Sequence, residues 1–166
     1  ASNISSEVVS TLSQCLTKDD LIHVSLDGGT EEDNDKQRGK GAFQKAIHGL
    51  EILTQHGLPI RLTIVPTIYN INNIEKIVDI ALKYNIEVVS AVPLMAAGRA
   101  TEKLIPENRL LFEKEISILK KVHNSKVKYE GGIFGPVCIF SKFPELVDNM
   151  YFPNASPNDR RICDAG

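Results

Sequence analysis

Apolar positions along the chain switch repeatedly between a period of two and a period near 3.6, and the switches mark the elements. Ser5 to Leu16 has the polar-start, apolar-stripe pattern of a helix. Leu21 to Leu26 is a short β-capable run that ends in Asp27-Gly28-Gly29, a turn signal, and predicts a first strand. The stretch from Thr30 to Lys40 has no apolar stripe and reads as a polar loop. Phe43, Ala46, Ile47, Leu50 and Leu53 then fall at helical spacing as far as His56-Gly57, where glycine can close a helix in the left-handed conformation. Pro59 blocks a restart, and the β-branched run Ile60 to Val65 predicts a second strand.

The unit then repeats. Asn72 to Glu75 has the spacing of a capping box, and Ile74, Ile77, Val78 and Ala81 form an amphipathic stripe up to Tyr84, with Asn85 as terminator. Ile86 to Val92 predicts a third strand ended by Pro93, and Pro106 opens a helix whose Phe112, Ile116, Leu119 and Val122 share one face. Lys126 to Glu130 suits one more short strand, and residues 131–166 are rich in glycine and proline without a regular pattern. Strands alternating with helices of this length imply an α/β protein with a parallel sheet and right-handed crossovers. The pattern leaves open whether that sheet is doubly wound or part of a barrel. In both, ligands bind beyond the C-terminal strand ends, which directs attention to Ser25-Leu26-Asp27, to Pro66 through Asn70, and to Pro93-Leu94-Met95.

Composition narrows the function classes. The chain of 166 residues is 42% hydrophobic and 24% charged, enough for one sizeable core. Nineteen Lys and Arg against 21 Asp and Glu give a formal charge of −2, with the basic residues scattered, so no nucleic-acid partner is expected. The apolar runs are too short and too interrupted for a membrane span, and no signal-peptide pattern opens the sequence, so a cytoplasmic location is expected. Cys15, Cys138 and Cys163 are too dispersed for a disulfide framework or a complete metal-ligand set. His23, His48, His56 and His123 have no metal-ligand spacing either.

At the strand ends a resemblance emerges. Residues 23–100 carry, in order, Val24-Ser25-Leu26-Asp27-Gly28, then Asp35, Arg38 and Gly39, then Asn70 after the second strand, then Pro93-Leu94 with Gly98-Arg99-Ala100. This ordered set resembles radical S-adenosylmethionine (radical SAM) enzymes of the SPASM group, which show V-S-[IL]-D-G, H-D-x-x-R-G, an Asn after the fifth strand, and P-L-x-x-x-G-R-A. Asn34 stands where the family has His, and the loop is longer than the family's by about one residue. Cys163-Asp164-Ala165-Gly166 resembles the C-x-A-G that opens the SPASM cluster-binding region.

The resemblance implies a fold and a division of labour. The chain reads as a fragment of a partial (βα)6 TIM-like barrel, about three strand-helix units with parallel strands. Residues 1–124 would form the C-terminal half of the radical SAM barrel, and residues 125–166 its last strand and an irregular linker towards SPASM. The family's C-x-x-x-C-x-x-C loop does not occur in the sequence. The intact parent would use S-adenosylmethionine and a [4Fe-4S] cluster to generate a 5′-deoxyadenosyl radical and modify a peptide or protein. The fragment alone would be inactive, with no cofactor bound.

The site residues carried over are Ser25 and Arg38 towards the ribose or carboxylate of SAM, and Asp27, Asn70 and Leu94 around it. Cys163 would be a ligand of an auxiliary cluster, and no catalytic residue is assigned. Read from the residues alone, Asp27 equally caps the Gly-Gly turn, Asn70 closes a turn, and Leu94 is core. An open barrel edge would favour self-association. Two other readings stand beside this one: a cluster-free α/β nucleotide-binding or regulatory module, which lacks a G-x-G-x-x-G after a strand, and a sugar-phosphate barrel enzyme, for which the chain is too short.

Overall fold

The computed structural model describes residues 4–17, 20–98, 100–131, 143 and 145–146. Helix α1 (Ser6–Cys15) starts at Ser5, whose side chain accepts a hydrogen bond from Val8 N. Four strands follow: β1 (Ile22–Ser25), β2 (Ile60–Ile64), β3 (Val88–Ala91) and β4 (Lys128–Glu130). They form one parallel sheet in the order β1-β2-β3-β4.

That order decides between the two architectures the sequence left open. A doubly wound sheet reverses direction at a switch point, whereas here every strand pairs with the next in sequence. Right-handed crossovers of constant progression put the connecting helices on one face, as in a barrel wall. Those helices are α3 (Ala42–Gln55), α4 (Ile77–Lys83) and α5 (Asn108–Val122). The register aligns Val24, Leu62, Val89 and Tyr129 in one row across all four strands. That row is buried with Leu50, Leu53, Val78, Ile118 and Leu119, so it is the helix-facing side of the sheet.

Three expectations need correction. Thr30 to Lys40 is not a loop but contains helix α2 (Glu31–Arg38). It lacks an apolar stripe because its ends do the stabilising. Thr30 accepts from Asp33 N, acidic Glu31, Glu32 and Asp33 occupy the first turn, Lys36 and Arg38 the last, and Gly39 at φ 95° ends it. The Asn72 to Glu75 capping box does not form. A 3-10 turn (Ile71–Lys76) precedes α4 instead, and no side chain caps it. β3 is also shorter than Ile86 to Val92, since Ile86 N closes the preceding turn on Ala81 O.

Candidate functional site

The C-terminal ends of β1 and β2 are tied together by side chains that the sequence places far apart. Asp27, two residues past Ser25, is buried, and each of its polar groups is committed. Its N–H donates to Asn34 Oδ1 at 2.9 Å, its Oδ1 accepts from Val65 N at 2.9 Å, and its Oδ2 pairs with Arg38 Nε at 2.5 Å. Its carbonyl accepts from Asn70 Nδ2 at 2.7 Å. Asn70, also buried, donates from the same nitrogen to Val65 O at 2.8 Å and accepts from Thr67 N through Oδ1 at 2.8 Å.

These bonds specify roles. Asn70 closes the loop after β2 on itself and clamps it to the loop after β1. Asp27 bonds neither glycine of the Gly-Gly turn; it splints β1 to the end of β2 and fixes Arg38. The pair is asymmetric, with the Asp27 side chain 4% exposed and that of Arg38 37% exposed, so one edge of the guanidinium is held inside while the rest reaches the surface.

Gly28 and Gly29 are required by close approach. A Cβ on Gly28 would lie 2.5 Å from Asn34 N, and one on Gly29 would collide with the Lys76 backbone.

A second set of bonds supports the first. Asp35 accepts from Phe43 N at 2.8 Å and from Gly41 N, joining α2 to the start of α3. These backbone donors, Phe43 first, hold the Asp35 carboxyl below its ordinary value. Asn73 Nδ2 donates to Asp33 Oδ2 at 3.1 Å, and Thr67 Oγ1 donates to Gln37 Oε1 at 2.8 Å, so α2 is anchored to the loop after β2 and to the 3-10 turn that follows it. Asn34, Asp33, Gln37 and Asn73 were not singled out as site-forming from sequence. The one signal was Asn34 standing where the resembled family has His.

The structure thus brings Asp27, Arg38 and Asn70 into one cluster. Ser25 is exposed at the end of β1, and Leu94 is half-buried beyond β3; no hydrogen bond joins the Ser25 hydroxyl to the cluster among the described residues. Cys163 lies outside the described residues, as do Arg99 and Cys138. Among the described residues no group of three His, Cys, Asp or Glu could hold a metal ion, and Cys15 is exposed as a free thiol, so an iron-sulfur cluster finds no donor set there.

A hydroxyl, a directed guanidinium and apolar strand ends do suit an organic ligand with a carboxylate and a sugar. A cleft of about 410 Å³ opens at the other end of the strands, lined by Gly57, Pro59, Lys83, Asn85 and Glu87. It lies between two helix-to-strand turns, at the end where parallel strands do not place chemistry. No described helix is long and apolar enough to cross a membrane.

No family model matches. The mycofactocin maturase MftC of Mycolicibacterium smegmatis is 34% identical over 64 residues, 38% of this chain and 16% of that protein. The Fe-coproporphyrin III synthase of Methanosarcina barkeri is 31% identical over 112 residues, 67% of this chain and 28% of that protein. The chain therefore spans well under a third of either relative.

In fold it is similar to SuiB of Streptococcus suis at a TM-score of 0.63 and 18% identity, over 90% of this chain and 34% of that one. SuiB is also solved bound to S-adenosylmethionine and to its precursor peptide SuiA. The sequence relatives are radical SAM/SPASM enzymes, and the sheet is a match to part of that fold, so the chain is similar to the radical SAM/SPASM family in sequence and in fold.

Proposed function

We propose that the strand ends described above hold S-adenosylmethionine in an enzyme that modifies a peptide or protein. The observation that carries this reading is the Asp27–Arg38 pair at the C-terminal end of β1, locked by Asn70, in a chain similar to this family. Together with a reduced iron-sulfur cluster, SAM bound there would supply a 5′-deoxyadenosyl radical. The chain's own residues bind and orient.

Asp27 occupies the Nε edge of Arg38, which leaves the outer guanidinium nitrogens to meet the carboxylate of SAM. Because Asp27 also neutralises Arg38, the pair contributes direction more than net attraction. Ser25 contributes a hydroxyl at the end of β1, and Leu94 an apolar surface for the base. Asn70 and Asp27 act as positioning residues behind them. The [4Fe-4S] ligands are assigned outside the described residues, with Cys163 a ligand of an auxiliary cluster. The 166 residues by themselves are expected to release no 5′-deoxyadenosine, because no C-x-x-x-C-x-x-C run occurs among them. A peptide substrate is favoured by the likeness to a fold solved with its precursor peptide.

The test is anaerobic purification of the full-length protein, reconstitution with iron and sulfide, and measurement of 5′-deoxyadenosine formed from SAM under a strong reductant. Wild type should release it, and Ser25→Ala combined with Arg38→Ala should lose at least tenfold while keeping the cluster's absorbance. A full-length protein that takes up no iron and forms no 5′-deoxyadenosine would overturn the reading in favour of a cluster-free α/β nucleotide-binding or regulatory module.

A further inference from the structure

The face of the sheet turned away from α3, α4 and α5 is polar. Alternation along the strands puts His23 and Ser25 of β1, Arg61 and Thr63 of β2, Val88 and Ser90 of β3, and Lys128 and Glu130 of β4 on this side. An ion pair runs diagonally across it: Arg61 Nη1, from the row below Thr63, reaches over β3 to Glu130 Oε2 at 2.9 Å. At the level of Ser25 the register runs Ser25, Thr63, Ser90, Glu130, so three neighbouring strands present hydroxyls side by side.

One of these is unsatisfied. Thr63 Oγ1 is buried and has no hydrogen-bond partner among the described residues. Native proteins pair nearly all such groups, because an orphaned buried hydroxyl has lost water and gained nothing. Its placement is informative: level with Ser25, near the C-terminal strand ends, on the face without helices. A neutral hydroxyl flanked by neutral hydroxyls suits another neutral hydrogen-bonding group, while Arg38 serves a carboxylate.

We propose that Thr63 Oγ1 binds a ribose hydroxyl of the S-adenosyl ligand, beside Ser25 on the next strand. This rests on the reading that the strand ends hold SAM. Removal of the hydroxyl at nearly constant shape then has two opposite effects. The ligand-free protein gains stability, since the unpaired group is gone, and nucleoside binding weakens.

The experiment uses the full-length protein with S-adenosylhomocysteine and 5′-methylthioadenosine as probes, the second lacking the amino-acid portion. Thr63→Val should raise the melting temperature of the ligand-free protein by about 2–4 °C. It should also weaken both probes about tenfold by titration calorimetry, and Thr63→Ser should restore binding. A lower melting temperature for Thr63→Val would mean that the hydroxyl already has a partner in the protein, and overturns the proposal. Weakening of S-adenosylhomocysteine alone would move the contact away from the ribose and equally overturns it. Wild type and Thr63→Val binding both probes equally overturns only the assignment of Thr63, whereas a wild type that binds neither overturns the SAM reading itself.

Discussion

Asn70 shows how much one buried amide can hold. Its three hydrogen bonds join the loops after β1 and β2, and truncation would leave the Thr67 N–H and the Asp27 and Val65 carbonyls to find other partners away from water. With about 1–3 kcal/mol at stake for a buried group left unpaired, Asn70→Ala should destabilise the protein by about 2–4 kcal/mol in urea unfolding. An unchanged midpoint would remove the clamp from this account. Asp35 offers a test by pH. Its carboxyl is held below its ordinary value by backbone N–H donors, Phe43 first, so ionised Asp35 favours the folded state. A folded-state pKa below the unfolded one gives stability that is fully present above about pH 4 and fades as pH falls through the folded value. The melting temperatures of wild type and Asp35→Ala should therefore differ at pH 6 and converge on acidification; a constant gap would contradict that assignment. From sequence, Asp27, Arg38 and Asn70 were visible as members of an ordered motif. Their mutual bonding was not, because the partners sit 11 to 43 positions apart and no periodicity links them.

Each element followed the rule that was strongest in its own sequence. β2 and α3 were legible because β-branched alternation and a helical stripe are packing signals, and packing is what holds them. α2 was missed for the complementary reason: it has no core-facing stripe, and its stability comes from Thr30, the charge order along its axis, and the bonds of Asp33, Asn34 and Gln37 to its surroundings. The last described strand carries a different kind of dependence. Tyr129 of β4 lies fully buried against α5, where its hydroxyl donates to Glu115 Oε1 at 3.4 Å. Burial first, and the Glu115 carboxylate second, push the Tyr129 phenol well above its ordinary value. A raised folded-state value gives stability that is complete below about pH 10 and is lost as pH rises further. Chemical unfolding should show wild type above Tyr129→Phe by about 1 kcal/mol at pH 8, with the difference shrinking beyond pH 10. A gap that widens with pH would contradict the buried neutral phenol.

At the scale of the whole molecule, one sheet, bounded by β1 and β4 among the described residues, organises everything described: helices on one side, hydroxyls and the Arg61–Glu130 pair on the other, loops clamped at the top. The fold class was legible from the repeat alone, while the barrel-like winding was legible only through the family resemblance, since strand order is a property of pairing and not of any local run. Outer strands of a parallel sheet can add a further strand at their edges, so the 166-residue chain is expected to associate as its concentration rises, a shift that sedimentation velocity would detect. A single monomer species from micromolar to millimolar concentration would show those edges to be covered. The strand order has a further consequence, for synthesis. Each strand docks beside the one made just before it, so no later strand has to be threaded between two already paired. The sheet can grow outward from the ribosome one unit at a time, and a stall after any unit leaves behind a shorter sheet with its existing order intact.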